Sequence, residues 1–289
     1  MTPIKAYANP HVLVSTEELA RQLAAPDLRV VDATTFMPGV PRQARKEFEA
    51  AHIPGAVYFD IDEICDRDTP LPHMLPSPEK FSSQVRLLGL GDGSRIAIYD
   101  ANGGFLAAHR VWWMFRVFGH SDVAVLDGGL LKWRRENRPL DDTPSAPRPR
   151  HFTARMDHTL VRSLDQMRVN LSRRRELVVD ARSPGRFKGT EPEPRPGLRA
   201  GHIPGSRNVP FNAILDPSRD FVVRPPAEIA AAFAAAGVDV AKPIVASCGS
   251  GITACTLAFG LFLIGHERTA IYDGSWTEWG GRDDVPVES

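Results

Sequence analysis

Short apolar runs alternate with longer stretches along the whole chain. The runs LRVVDA, SRIAIYD and VAVLDGG in the first half, and ELVVDA, PIVASC and TAIYDG in the second, are rich in β-branched residues, which is typical of buried strands. The stretches between them, such as residues 226–238, have the composition of helices. This alternation predicts an α/β fold built on mainly parallel sheets with helices on both faces.

The two halves of the chain repeat one another. VVDA recurs after 178 − 30 = 148 residues, HIPG after 202 − 52 = 150, and the DG pair that follows a later apolar run after 273 − 127 = 146. The matches keep their order, so we predict two copies of one domain. The proline-rich segment between them, RPLDDTPSAPRPR, is typical of a linker. We place the domains at 11–138 and 161–286, with the linker at 139–160.

Composition limits the classes of function. The chain has 289 residues, 43% of them hydrophobic, with 35 basic and 35 acidic side chains, so no basic excess favours nucleic acid. The amino-terminal residues lack the features of a secretory signal, and no apolar run is long enough for a membrane span. Three cysteines without a C-x-x-C pair support neither a disulfide framework nor a zinc site. We therefore expect a cytoplasmic protein without membrane or nucleic-acid partners.

One cysteine stands where a predicted strand meets a predicted helix. Cys248 follows the apolar run 244–247 and precedes the long apolar run 252–264. A strand, loop and helix in this order direct backbone N–H groups and the helix dipole at the turn, where a thiol loses its proton more easily. Glycines at 249 and 251 allow the tight loop that this needs. The alternative is a packed core cysteine in a glycine-rich turn.

The repeat offers an internal comparison. When the strand at 96–99 is aligned with the strand at 244–247, Asp100 occupies the position of Cys248, and the loop ANGGFLAA that follows it differs in length and content. The first half therefore lacks a nucleophile at this place. We expect one active and one inactive domain that face each other across a cleft.

These motifs together resemble a known family. The loop CGSGITA at 248–254, the segment GTEPEPRPG at 189–197, the segment DGSWTEWGG at 273–281 and the paired domains are similar to the tandem-domain 3-mercaptopyruvate sulfurtransferases of the rhodanese superfamily. The resemblance runs from about residue 11 to 286. It implies two rhodanese-like domains, of which the carboxyl-terminal one is catalytic.

The resemblance also implies a reaction. The Cys248 thiolate takes the sulfur of 3-mercaptopyruvate as a persulfide and releases pyruvate, and a thiol acceptor such as thioredoxin, or cyanide in an assay, then removes the outer sulfur. No metal or organic cofactor is expected. Thiosulfate:cyanide sulfurtransferase activity and a sulfur-carrier module loaded by a cysteine desulfurase remain as alternatives.

Two arginines match the family's substrate-binding positions. Arg186 and Arg195 are expected to hold the substrate carboxylate, for which a guanidinium fork is well suited. Without the resemblance, a simple ion pair with Glu191 or Glu193 is the ordinary explanation for either arginine.

The resemblance assigns a proton relay to Ser250, Asp62 and His73. Histidine titrates near neutrality and is suited to protonating the pyruvate enolate, with Asp62 orienting it. A surface acidic run and a capping histidine are the alternatives. The histidines of the two HIPG copies are expected to be structural, because the inactive half has one as well.

The nucleophile loop distinguishes related activities. The residues expected to bind substrate there are Gly249, Gly251, Ile252 and Thr253. Thiosulfate-using relatives carry basic residues directly after the cysteine, whereas Gly249 and Ser250 are neutral, which favours mercaptopyruvate. A phosphatase loop of the form C-x5-R requires arginine at position 254, which is alanine here. Phosphatase activity is therefore disfavoured.

Overall fold

Each half of the chain folds around a parallel sheet. The computed structural model describes residues 6–37, 39–102 and 107–289, and within these ranges each half contains a five-stranded sheet flanked by helices. The strand order is β1-β5-β4-β2-β3 in the first sheet and β6-β12-β11-β7-β8 in the second, so the two sheets have the same topology. The predicted fold class and the duplication are confirmed.

The elements of the first half alternate as the apolar pattern predicts. Its strands are β1 Leu13–Val14, β2 Leu28–Asp32, β3 Val57–Tyr58, β4 Arg95–Tyr99 and β5 Val123–Leu126. Its helices are α1 Thr16–Gln22, α2 Ala44–Ala50, α3 Pro78–Leu87, α4 Ala108–Val117 and α5 Gly129–Arg135.

The second half follows the same plan with one addition. Its strands are β6 Val161–Arg162, β7 Leu177–Asp180, β8 Arg207–Asn208, β9 Leu215–Asp216, β10 Val222–Val223, β11 Ile244–Ser247 and β12 Ala270–Tyr272. Its helices are α6 Leu164–Arg173, α7 Pro184–Phe187, α8 Pro226–Ala235, α9 Ala254–Leu263 and α10 Ser275–Trp279. The antiparallel pair β9 and β10 lies outside the parallel sheet.

The strand before Cys248 is the centre of its sheet. β11 pairs in parallel with β7 on one side and with β12 on the other, and all four of its residues are buried. Buried central strands of parallel sheets are continuous apolar runs, which explains the sequence IVAS. Residues that follow such strands lie together at the carboxyl edge of the sheet, where sites form in open α/β folds. Cys248 occupies this position.

The two halves share a hydrophobic interface. Helix α4 of the first half packs against α9 of the second, where Trp112 meets Phe259 with ring centroids 4.9 Å apart. The guanidinium of Arg116 lies 3.9 Å from the ring centroid of Phe262. Buried residues of both halves belong to a single core cluster. The relative position of the two halves is therefore fixed by packing.

In the first half, a carboxylate occupies the place that corresponds to Cys248. Asp100 follows β4, is fully buried, and accepts backbone N–H bonds from Asn102, Ala107 and Ala108 at 2.8 to 3.2 Å. Residues 103–106 of the loop compared above lie outside the described residues. No helix in the described ranges is long and apolar enough to cross a membrane.

Candidate active site

The candidate nucleophile lies at the base of a cavity between the two halves. Cys248 follows β11, is 1% exposed and borders a cavity of about 380 Å³. The second half contributes Arg186, Arg195 and the nucleophile loop to the lining, and the first half contributes Phe36 and Asn102. The cavity can enclose a small substrate while the thiol stays away from bulk water.

The backbone N–H groups of the nucleophile loop, residues 249–254, have no acceptors among the described residues. In the described part of the chain, none of the N–H groups of residues 249–254 donates to a protein atom. Helix α9 begins directly after the loop, and the Thr253 side chain does not cap it. Free N–H groups at a helix start favour an anion. The loop is therefore suited to a thiolate or persulfide at Cys248.

Helix α10 holds the nucleophile loop through the loop's carbonyl groups. The N–H groups of Trp276 and Thr277 donate to the carbonyl oxygens of Cys248 and Gly249, both at 2.9 Å, and the Cys248 N–H donates to Ser275 Oγ at 3.2 Å. These contacts leave the loop's N–H groups free for a ligand. They also give the DGSWTEWGG motif a structural reason that the sequence alone did not reveal.

Gly251 is required by both conformation and space. Its φ of +76° lies in the left-handed region, and a Cβ there would lie 2.9 Å from the carbonyl oxygen of Asp273. No side chain fits without displacing backbone. Gly251 therefore shapes the loop, whereas Gly249, Ser250, Ile252 and Thr253 line the cavity.

Arg186 lies beside the nucleophile loop and is held by a carboxylate. Its Nη2 atom is 2.6 Å from Glu193 Oε2, and a Cβ added at Gly249 would lie 3.0 Å from that same Nη2. Glu193 also pairs with the buried Arg182, at 2.6 Å. The ion pair with Glu193 considered from sequence is thus present, and it fixes the guanidinium at the cavity wall.

Arg195 differs from Arg186 in having no partner among the residues that the structure describes. No hydrogen bond or ion pair joins its guanidinium to the described part of the protein, although it lines the same cavity. Burial lowers the pKa of Arg195, and the negative charge of Cys248 opposes this effect. The carboxylates of Glu193 and Asp62 also favour its charge, but from beyond ion-pair distance. A half-buried cation without a direct ion pair favours an anionic ligand.

The three residues of the expected relay are brought together across the domain boundary. His73 Nδ1 lies 3.1 Å from Ser250 Oγ, and His73 Nε2 lies 3.3 Å from Asp62 Oδ1. The hydrogen bond from His73 lowers the pKa of Asp62. The arrangement forms a continuous chain from an exposed carboxylate, through a half-buried imidazole, to a hydroxyl two residues from Cys248.

The other two cysteines have different surroundings. Cys255 lies in α9, fully buried, and its thiol donates to the carbonyl oxygen of Gly251 at 3.2 Å. Burial raises the pKa of Cys255 and, less strongly, that of Cys65, whose thiol donates to the Asp62 carbonyl oxygen. Both thiols are therefore poor nucleophiles.

The HIPG histidines are bound in equivalent ways in the two halves. His52 Nδ1 lies 2.7 Å from the carbonyl oxygen of Phe48, and His202 Nδ1 lies 2.7 Å from that of Phe187. Each ring stacks on the phenylalanine to which it is bound. The duplication of this contact agrees with a structural role.

Comparison with known proteins supplies the family. The chain matches the rhodanese-like domain family twice, over residues 15–136 and 163–282. The chain belongs to the rhodanese family. Human 3-mercaptopyruvate sulfurtransferase is 47% identical over 272 residues, which are 92% of this chain and 91% of the human protein. Thiosulfate sulfurtransferase of Cricetulus griseus is 44% identical over 273 residues, 92% of this chain and 91% of its own.

A solved structure of this rhodanese family has the same architecture. The crystal structure of SseA from Escherichia coli, a 3-mercaptopyruvate sulfotransferase, superposes with a TM-score of 0.84 at 34% identity and covers 92% of this chain and 98% of its own. The resemblance to tandem-domain rhodaneses that the sequence motifs indicated is confirmed. The names of the relatives agree with the predicted enzyme class.

Proposed function

We propose that the chain is a sulfurtransferase that moves sulfur from 3-mercaptopyruvate, through a persulfide on Cys248, to a thiol acceptor. The observation that carries this proposal is one cavity lined by a buried cysteine, by Arg186 and Arg195, and by Ser250. Behind the cavity wall, Ser250 is hydrogen-bonded to His73, which pairs with Asp62. Related proteins that bear the name 3-mercaptopyruvate sulfurtransferase support the choice of donor.

The first half-reaction forms the persulfide. The Cys248 thiolate attacks the thiol sulfur of the substrate, the carbon–sulfur bond breaks, and its electron pair leaves on carbon as pyruvate enolate. One proton delivered to that carbon completes pyruvate, and Cys248 carries S–SH. The free N–H groups of residues 249–254 stabilise the anionic sulfur. Arg195 and Arg186 hold the carboxylate and its neighbouring carbonyl oxygen.

The relay supplies the proton that the leaving group needs. His73 is hydrogen-bonded to Ser250 at the cavity wall, and Asp62 orients its ring from the outer side. We assign the last donor step to the Ser250 hydroxyl, which His73 reprotonates. In this scheme the first domain, proposed at residues 11–138, is inactive but supplies two residues of the site. The domain at 161–286 carries the nucleophile.

The second half-reaction transfers the outer sulfur. A thiolate such as that of reduced thioredoxin attacks the S–SH sulfur, and Cys248 leaves as a thiolate. We place this reaction in the cytoplasm, where free thiols are maintained, in keeping with three unpaired cysteines. Since one relative is named as mitochondrial, cell fractionation with an antibody to the native protein is the appropriate test.

Thiosulfate is the second candidate donor. Relatives named thiosulfate sulfurtransferase reach 44% identity, and Arg195, which lines the cavity and makes no direct ion pair with the described residues, suits any small anion. The neutral residues directly after the cysteine disfavour a dianion beside the sulfur, so we rank thiosulfate below mercaptopyruvate.

Steady-state assays with both donors test the proposal. With reduced thioredoxin as acceptor, purified protein should release pyruvate from 3-mercaptopyruvate with a higher kcat/KM than it releases sulfite from thiosulfate. The inverse order would make thiosulfate the donor. Absence of both products, with persulfide formed only by a cysteine desulfurase, would instead identify a sulfur carrier.

A further inference from the structure

The loop that carries the proposed relay histidine has an unusual backbone. His73 has a φ of 61°, in the left-handed region that residues with a Cβ seldom adopt. Its carbonyl oxygen accepts a hydrogen bond from Arg110 Nη2 at 2.6 Å, and the Leu75 N–H donates to Asp273 Oδ2 at 2.8 Å. Contacts at residues 73 and 75 therefore hold this loop against both halves of the protein.

Arg110 and Asp273 form a buried ion pair across the two halves. Arg110 lies on α4 and Asp273 follows β12, and their Nη1 and Oδ1 atoms are 2.7 Å apart with side chains 0% and 5% exposed. Burial disfavours the charge of Arg110, but the Asp273 carboxylate keeps the pKa of Arg110 above its ordinary value. The guanidinium is therefore a fixed, charged group at the domain boundary.

The same guanidinium contacts the nucleophile loop. Arg110 Nη1 donates to the carbonyl oxygen of Gly251 at 3.2 Å. Gly251 follows Ser250, whose hydroxyl lies 3.1 Å from the ring of His73. One side chain thus holds the main chain on both sides of the serine–histidine contact, with two donor arms in a rigid fork.

The internal repeat provides a control for this arrangement. Asp127 corresponds to Asp273 at a shift of 146 residues, and it too accepts an N–H bond from the opposite half, from Val223 at 2.8 Å. Helices α4 and α9 are related by the same shift, so Thr256 corresponds to Arg110 since 110 + 146 = 256. The carboxylate contact occurs on both sides of the molecule. The arginine is present only on the side of Cys248.

We propose that Arg110, held by Asp273, is a positioning residue that sets the distance between His73 and Ser250 and thereby the delivery of a proton to the pyruvate enolate. The proposal rests on the proposed function. Joining the two domains does not account for Arg110, because the equivalent contact at Asp127 joins them without an arginine.

Comparing turnover with two sulfur donors distinguishes a positioning role of Arg110 from a general effect on stability. Mercaptopyruvate loses a carbon leaving group that must be protonated, whereas thiosulfate loses sulfite, which needs no proton. Arg110→Lys keeps the charge beside Asp273 but cannot reproduce the rigid two-armed fork. We expect kcat with mercaptopyruvate to fall by about ten- to a hundredfold. KM should change by less than about twofold, and kcat with thiosulfate by less than about threefold.

A matched control and a mutant cycle complete the experiment. Asp127→Asn alters the equivalent contact on the other side and should leave the ratio of the two donors' kcat values unchanged within about twofold. In a His73→Ala background, Arg110→Lys should have no further effect on mercaptopyruvate turnover, since the group that it positions is gone. If Arg110→Lys does not fold, Asp273→Asn gives the same two readouts.

Two results would overturn the proposal in different ways. Equal losses with both donors in folded Arg110→Lys, or a full additional loss in the His73→Ala background, would show that Arg110 acts on the fold and not through the relay. Unchanged mercaptopyruvate turnover in His73→Ala alone would remove the relay from the proposed function, and the positioning role with it.

Discussion

Replacing Arg195 by methionine isolates the interaction between the Arg195 guanidinium and the substrate carboxylate. Methionine keeps an unbranched side chain and removes the charge. Arg195 borders the cavity with Cys248 and has no ion pair or hydrogen bond among the residues described. The substitution therefore breaks no described protein–protein contact of the guanidinium, and its effect falls on the ligand.

The size of the effect follows from the type of bond that is lost. A hydrogen bond to a charged group contributes about 1.5–3 kcal/mol, because the partner left behind is partly desolvated. For 3-mercaptopyruvate, this corresponds to a fall in kcat/KM of about 10- to 150-fold. Arg186 stays in place through Glu193, so part of the carboxylate affinity is retained and the loss appears mainly in KM.

The assay compares two kinds of thiol reaction in the same variant. Pyruvate release from 3-mercaptopyruvate depends on binding of the substrate carboxylate. The rate at which a neutral methanethiosulfonate reagent modifies Cys248 reports the reactivity of the thiol without any carboxylate. Arg173→Met is a matched control, since Arg173 is an exposed arginine at the end of α6 and does not line the cavity.

The reasoning is refuted if both reactions slow to the same extent in folded Arg195→Met. That result would mean that Arg195 maintains the nucleophile loop and does not bind the substrate carboxylate. A change no larger than that of the Arg173 control would exclude Arg195 from binding altogether.

Three further predictions concern the nucleophile, donor choice and pH. Cys248→Ser should abolish sulfur transfer while Cys255→Ser retains it, because burial raises the pKa of Cys255; equal inactivity of two folded variants in the pyruvate assay would contradict a single nucleophile. Gly249→Arg with Ser250→Lys should shift the kcat/KM ratio of the donors towards thiosulfate by about tenfold, since added cations stabilise a dianion. A Cβ added at Gly249 would lie 3.0 Å from the Arg186 guanidinium, which must therefore move. An unchanged ratio of the two kcat/KM values would show that other residues determine donor choice. Burial raises the pKa of Asp127 to about 6, so this carboxyl's contribution to stability is present at low pH and is lost as pH rises through about 6. Between pH ~4 and ~7 the unfolding free energy of Asp127→Asn should therefore rise relative to wild type by about 2–3 kcal/mol in denaturant titrations, and parallel pH profiles would contradict this.

The sequence alone led to the fold and the nucleophile because both leave local signals. Parallel strands buried on both faces are continuous apolar runs, and a duplicated domain repeats them at a nearly constant shift. Cys248 stands at the end of such a run, next to glycines. The helix expected from residue 252 begins at Ala254, after the left-handed turn at Gly251.

The supports of the site could not be predicted because they join distant parts of the chain. Arg110 and Asp273 are 163 positions apart and meet only when the two domains pack. Thr277 acts through its backbone and hydroxyl on the Gly249 carbonyl oxygen, which no composition rule indicates. For Arg186, the choice between an ion pair and substrate contact was open, and the structure shows that the pair with Glu193 leaves it at the cavity wall.

The most direct test of sulfur transfer through Cys248 is peptide mass spectrometry after a single turnover. Protein is mixed with one equivalent of 3-mercaptopyruvate without acceptor, alkylated and digested. An addition of about 32 Da, one sulfur atom, should appear on Cys248 itself, which fragment ions distinguish from Cys255 in the same peptide. One equivalent of pyruvate should appear at the same time. Adding reduced thioredoxin should remove the added mass and allow further turnover. Pyruvate formed without sulfur on Cys248, or sulfur found on Cys65 or Cys255, would contradict the account.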